Sequence, residues 1–260
     1  MGANYVARFV NYHMTGGWDE GDRATNEYYR PIDTFAERFD ALLQDVRAMG
    51  FAAIDIWMAQ LNWSWATAEH LTIATQLLTQ NKLRVTSLAG YFGATRADLE
   101  ASCRLAVALG APILGGSTSL LYADRPSTIA ILKDYGIQLG IENHPEKTAS
   151  EMLAKIGNGA DGTIGTAIDT GWYATHGYDA VQAIKELYPH IVLVHLKDIL
   201  KQGEHETCRY GRGCVDIAGC VKTLQELGYS GTYSIEHEPE DFDPTEDCVA
   251  MRSMLQNWSG

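Results

Sequence analysis

Four residues able to hold a divalent cation each close a short apolar run: Glu142 after IQLGI, Asp169 after TIGTAI, His195 after IVLV and Glu236 after TYSI. Three hard carboxylates and one imidazole suit Mn2+, Mg2+ or Co2+, and Zn2+ can also use them. Four protein ligands leave positions open for two adjacent oxygens of a sugar or hydroxy-ketone. A cation held there would stabilise an enediolate as its charge develops. Taken singly, each residue has an ordinary explanation. Glu142 could be a solvated charge or helix cap, Asp169 a turn residue ahead of Thr-Gly, His195 a hydrogen-bonded strand end, and Glu236 one member of a polar rim with His237 and Glu238. Their shared placement at strand tips is what points to a metal.

The elements that must carry these tips follow a regular rhythm. The sequence predicts strands over Tyr5–Asn11, Phe51–Trp57, Leu83–Ala89 and Pro112–Gly116, followed by the four runs above. Helices are predicted between them. Over Asp33–Met49 the residues Phe35, Phe39, Leu42, Leu43 and Val46 share one face, Asp33 is the expected N-cap and Gly50 the stop. Further helices are expected near Thr67–Gln80, Arg96–Leu109, Ser127–Tyr135, Ser150–Ile156, Tyr178–Leu187, Asp216–Leu227 and Pro244–Trp258. About eight strand–helix units describe an α/β protein with a single (β/α)8 barrel domain over residues 1–260. A doubly wound open sheet has the same alternation, but only a closed barrel gathers four strand tips around one axis. Two long stretches, Tyr12–Ile32 and Lys197–Val215, each follow a predicted strand and are read as loops on the active face.

Bulk properties exclude several alternatives. With 46% apolar residues the chain can bury a large core, and a formal charge of −13 with no basic stripe argues against a nucleic-acid surface. Five cysteines at irregular spacing read as reduced thiols of a cytoplasmic protein. Neither a signal peptide nor a membrane span is predicted, and Val6 replaces the Ser or Thr of a myristoylation motif.

The segments IENHPE, AIDTGW, VHLKD and GRGCVDIAGCVKTLQELGYSGTYSIEHE resemble the xylose-isomerase-like TIM-barrel superfamily of sugar isomerases, ketose epimerases and inosose dehydratases. The likeness is close in the C-terminal half and rests mainly on rhythm in the N-terminal half. It implies that Glu142, Asp169, His195 and Glu236 bind the metal, Mn2+ first among the candidates, and that Glu142 and Glu236 also serve as acid and base. Ketose epimerases carry a substrate-binding histidine three residues after the metal aspartate, where this chain has Trp172. A Trp can donate from its indole N–H but cannot accept a hydrogen bond.

The neighbours of the four tips refine the chemistry. His144, two positions past Glu142, is a candidate general base or acid, or a loop histidine bonded to the backbone. His205 in the GEHETC loop is a further candidate for substrate binding, as are Lys197, Asp198 and either Arg209 or Arg212. Trp18, Tyr28, Tyr29, Trp57, Trp63, Trp65, Tyr91 and Phe92 fall on presumed active-face loops and could stack on a sugar ring or an aromatic aglycone, pack in the core, or mark a subunit interface. The IENH segment and these aromatics resemble the catalytic subunits of bacterial C-glycoside deglycosidases. That resemblance favours a lyase that cleaves a 3-keto glycoside by elimination, and implies a small β-rich second subunit and an oligomer. The alternatives are an aldose–ketose isomerase or ketose 3-epimerase, and a metal-stabilised subunit without turnover. An AP-endonuclease role conflicts with the acidic charge and the single metal histidine.

Overall fold

The computed structural model describes residues 1–259. Helices α1 (Trp18–Tyr29) and α2 (Ile32–Ala48) precede strand β1 (Ala53–Trp57). Then come α3 (Ala68–Gln80), β2 (Arg84–Tyr91), α4 (Arg96–Leu109), β3 (Ile113–Ser117), α5 (Leu120–Ala123), α6 (Arg125–Tyr135) and β4 (Gln138–Glu142). The C-terminal half runs α7 (Ala149–Ile156), β5 (Ile164–Asp169), α8 (Thr170–Thr175), α9 (Ala180–Leu187) and β6 (Ile191–Leu196). A short antiparallel pair, β7 (Asp198–Ile199) and β8 (Thr207–Cys208), leads to α10 (Ile217–Glu226), β9 (Tyr233–Ile235) and α11 (Thr245–Ser259).

Seven parallel strands pair in the order β1-β2-β3-β4-β5-β6-β9 and form a nearly closed barrel sheathed by the helices. The helical faces anticipated from sequence are the buried ones: Phe35, Phe39, Leu42, Leu43 and Val46 of α2 all lie in the core. Asp33 lies in the first turn of α2, whose N-cap is Pro31. The Tyr12–Ile32 stretch is largely ordered as α1, and Lys197–Val215 holds the β7–β8 pair. All five cysteines are free thiols, and only Cys214 is exposed. No helix among the described residues is long and apolar enough to cross a membrane.

The first predicted strand is absent. Residues 2–5 and 8–10 form two 3-10 turns, and Asn11 and Tyr12 adopt left-handed φ angles of 54°. Their N–H groups are satisfied locally, for example Val6 N–H to the Ala3 carbonyl at 2.9 Å and Val10 N–H to Ala7 at 3.2 Å. Side-chain amides take over the pairing that an eighth strand would have made. Asn4 Nδ2 donates to the Ile235 carbonyl at 3.1 Å, and Asn4 Oδ1 accepts from His237 N–H at 3.1 Å. Gln60 Oε1 accepts from Trp57 N–H at 3.2 Å, and its Nε2 donates to the Gly2 carbonyl at 3.1 Å. The seam between β1 and β9 keeps a cavity of about 180 Å³ whose lining includes Tyr5, Ile54, Asp55, Thr86, Ser234 and Cys248. Asn4→Ala removes both amide contacts to the β9 segment and is expected to destabilise the protein by about 1–3 kcal/mol. A lowered urea midpoint would register this, whereas an unchanged midpoint would show that the seam is held by other groups.

Register decides what the barrel mouth receives. Asp169 pairs with His195 across β5–β6, and Glu142 with Ala167 across β4–β5. A Cβ added at Gly115 would lie 2.7 Å from Leu193 Cδ2 and 3.9 Å from Ala167 Cβ, so these three positions meet inside the barrel. Side chains alternate with period two along a strand. Asp169 and His195 therefore stand on the inner face, one layer above Ala167 and Leu193.

Candidate metal and active site

Glu142, His195 and Glu236 each place one donor atom in a group whose members all lie within 4.8 Å of one another. His195 Nδ1 is 2.9 Å from Glu236 Oε2 and 3.5 Å from Glu142 Oε1. These are close contacts and not aligned hydrogen bonds: both ring nitrogens of His195, Glu236 Oε2 and Asp169 Oδ2 are buried without a hydrogen-bond partner. Such orphaned polar atoms are costly in a dry interior and fit a ligand that binds lone pairs. Glu142 is the most open of the set, with 27% of its side chain exposed against 1% for His195 and 4% for Glu236.

Asp169 stands beside this group and does two things at once. Its Oδ1 caps α8, accepting from Gly171 N–H at 2.7 Å and Trp172 N–H at 3.2 Å. Its Oδ2 lies 3.3 Å from Lys197 Nζ. The fully buried Lys197 ammonium also contacts Glu236 Oε1 at 2.7 Å and Glu238 Oε2 at 3.0 Å, so one lysine ties three carboxylates together. Burial pushes Asp169 up, and Lys197 only partly offsets that. Burial works in the same direction on Glu236, but Lys197 and His195 outweigh it and hold Glu236 low. His195 is raised despite its burial, by Glu236 and Glu142. Glu238 is raised to about 7, chiefly by burial.

Trp172 forms the wall next to this charge cluster. It is half-buried, with the His144 ring stacked at 4.0 Å and 27° and the His205 ring at 3.9 Å and 22°. Lys197 Nζ lies 5.7 Å from the Trp172 ring. Burial lowers the pKa of His144, and it lowers His205 to about 4. Burial thus biases both imidazoles toward the neutral form, in which one ring nitrogen can accept a hydrogen bond.

Other residues singled out in the sequence lie elsewhere. Asp198 is consumed by its own loop: its carboxylate accepts from the N–H groups of Gly211 at 3.0 Å, Gly213 at 3.2 Å and Val215 at 3.0 Å. These bonds give it a loop-holding part where the sequence suggested a substrate contact. Arg212 is exposed and makes no ion pair among the described residues. Arg209 Nε is committed to Asp247 Oδ1 at 2.7 Å. Asp247 also accepts from His237, which is fully buried behind the strand tip. Several loop aromatics prove to be packing groups. Trp63 Nε1 bonds the Tyr91 carbonyl, Trp65 Nε1 bonds Asn26, and Phe92 is in the core, while Trp18 and Tyr91 remain exposed.

Two carboxylates, one at the site and one buried at the seam, are not singled out by the sequence. Beside His237, Glu238 reads as part of a polar rim, although its spacing of two from Glu236 places both on one face of an extended segment. Asp55 sits inside the apolar run FAAIDIW. It is buried and accepts from the hydroxyls of Thr86, Ser87 and Ser234, which joins β1 to β2 and to β9 across the seam.

A family model described as the xylose isomerase-like TIM barrel matches residues 43–257, and the chain belongs to this family. Over 68 residues it is 40% identical to the L-ribulose-5-phosphate 3-epimerase UlaE of Shigella boydii, covering 26% of this chain and 24% of that protein. The chain thus spans about a quarter of the length of that curated relative. A xylose isomerase-like TIM-barrel protein of Mycobacterium smegmatis in complex with magnesium superposes with a TM-score of 0.68 at 20% identity, covering 86% of this chain and 89% of that one. The 3-keto-D-glucoside 4-epimerase of E. coli superposes with a TM-score of 0.65 at 15% identity, covering 84% and 94%. At these identities the superpositions speak for the fold.

Proposed function

We propose that residues 1–260 form one catalytic domain that acts on a keto sugar with the help of a divalent cation, which Glu142, Asp169, His195 and Glu236 would hold. The observation that carries this reading is the set of buried donor atoms without hydrogen-bond partners on Asp169, His195 and Glu236, next to Glu142. When bound, the cation supplies Lewis-acid stabilisation of the charge that develops on the substrate oxygen. The chain's own groups move the proton. Glu142, the more open carboxylate, takes it from the carbon next to the carbonyl, and Glu236 returns one, so the product is an isomer or epimer. Trp172 would wall a bound sugar, and the imidazoles of His144 and His205 stacked on the indole would meet the sugar's ring hydroxyls. The names of relatives and structural neighbours, a ribulose-phosphate 3-epimerase and a 3-keto-glucoside 4-epimerase, support this class of substrate. Mn2+ is the first choice of metal, and the magnesium-bound neighbour makes Mg2+ the second.

The stack on Trp172 favours a second reading, elimination from a 3-keto glycoside in the manner of C-glycoside deglycosidases. There His144 removes the acidified proton and the aglycone leaves beside the indole. That reading implies a small partner subunit. Both reactions begin with the same deprotonation, so one experiment separates them. In D2O with Mn2+, deuterium is expected to appear at the carbon next to the carbonyl of recovered ketose or 3-keto glucoside. Aglycone release in place of exchange would select the lyase, and neither result in any substrate panel would overturn the proton-transfer reading.

A further inference from the structure

Lys197 is placed with unusual care for a side chain in an acidic cluster. Its backbone N–H and carbonyl are both tied to Thr170 Oγ1, at 2.9 and 2.8 Å. Its stem runs where residue 171 has no side chain: a Cβ there would lie 2.6 Å from Lys197 Cγ and Cδ. The ammonium emerges between Asp169, Glu236 and Glu238, on oxygens of which two belong to the proposed ligands.

An oxygen cannot donate fully to a divalent cation while an ammonium sits on it, since two positive charges would then be forced together in a buried space. Lys197 and the cation therefore compete for Asp169 Oδ2, whereas on Glu236 the ammonium sits on Oε1 and leaves the partnerless Oε2 facing His195. Glu238 is the one carboxylate in contact with Lys197 that belongs to neither the proposed ligand set nor the helix cap. We infer that Lys197 and Glu238 form a movable counter-charge pair that sets metal affinity: binding of the cation drives the ammonium off Asp169 Oδ2 and toward Glu238. Glu238 is thus a positioning residue that acts through Lys197, and Gly171, lacking a Cβ, leaves the room that the lysine stem occupies. This inference rests on the metal reading given above.

The test is Mn2+ binding, followed by calorimetry on chelator-stripped full-length protein, for wild type, Lys197→Met, Glu238→Gln and the double variant. Lys197→Met is expected to bind Mn2+ about tenfold more tightly, and Glu238→Gln about tenfold or more weakly, within the range seen when outer partners of metal ligands are changed. The double variant is expected to match Lys197→Met, because Glu238 has nothing to act on once the lysine is gone. Wild-type affinity in Glu238→Gln, or a full loss persisting in the double variant, would overturn the inference. Should Lys197→Met fail to fold, Glu238→Gln decides alone, since it keeps the lysine and the shape of the side chain. Absence of Mn2+ uptake by wild type would overturn the metal reading itself, and this inference with it, and so differs from uptake with equal affinities across the variants.

Discussion

Glu236→Gln is expected to lower turnover of an accepted keto sugar by about a thousandfold or more while the protein remains folded. The two oxygens of Glu236 have different neighbours, His195 Nδ1 at 2.9 Å and Lys197 Nζ at 2.7 Å. An amide of the same shape supplies one oxygen and one N–H2 group. Whichever way it turns, a donor faces either the imidazole or the ammonium, and the charge that both groups lean on is gone. In the proposed reaction the substitution removes a metal ligand and a proton carrier together. The check is kcat/KM against thermal unfolding on the same preparation. A loss smaller than about tenfold with an unchanged melting temperature would put Glu236 outside the chemistry.

The second large effect concerns stability. Asp55→Ala is expected to cost about 3–5 kcal/mol, which for a chain of this size lowers Tm by roughly 10 °C. The barrel has seven strands, and its edge strands are joined across the seam by this buried carboxylate, which accepts from Ser87 Oγ at 2.7 Å and from the hydroxyls of Thr86 and Ser234. Removing it strands the hydroxyls of Ser87 and Ser234 in the interior, while Thr86 Oγ1 keeps the Ile54 carbonyl at 3.2 Å. The contribution also depends on pH. Burial opposes ionisation of Asp55, but the amino terminus, His195 and the hydroxyl donors outweigh it, so its folded pKa lies below the ordinary value. A carboxyl of that kind contributes fully above its unfolded pKa of about 4 and loses its contribution as pH falls through the lower folded value. Urea unfolding of wild type and Asp55→Ala should therefore differ most near neutrality and converge in acid. Equal midpoints at pH 7 would remove Asp55 from the account of the seam.

Much of this was legible in the sequence. The helical face of α2 follows from spacing alone, and the stops of α2 and α4 are where the glycines stand: Gly50 follows the Met49 C-cap of α2, and Gly110 caps α4 in the left-handed conformation. The strand tips are legible because four metal-type residues each close a short apolar run. What misled was Tyr5–Asn11, whose apolar, β-favouring composition reads as a strand. The competing effect lies outside that run: Asn4 and Gln60 supply side-chain hydrogen bonds at the seam, leaving the backbone free to close local turns. The double duty of Asp169 was hidden for a similar reason, because spacing does not show that one oxygen caps α8 while the other meets Lys197. Nor does spacing separate a stacking wall from packing. Trp63 and Trp65 bond to Tyr91 at the end of β2 and to Asn26 of α1, whereas Trp172, drawn from the same class of residue, stacks on the rings of His144 and His205 with Lys197 Nζ 5.7 Å away.

The central claim is that the strand tips hold one divalent cation per chain. The direct measurement is anomalous diffraction at the manganese edge from crystals of chelator-stripped protein soaked in Mn2+, paired with the same measurement on His195→Ala. The account expects a single strong anomalous peak enclosed by Glu142, Asp169, His195 and Glu236, with Lys197 withdrawn toward Glu238, and loss of that peak in the variant. A peak elsewhere on the chain, or none at the strand tips under conditions that load other manganese proteins, would contradict it.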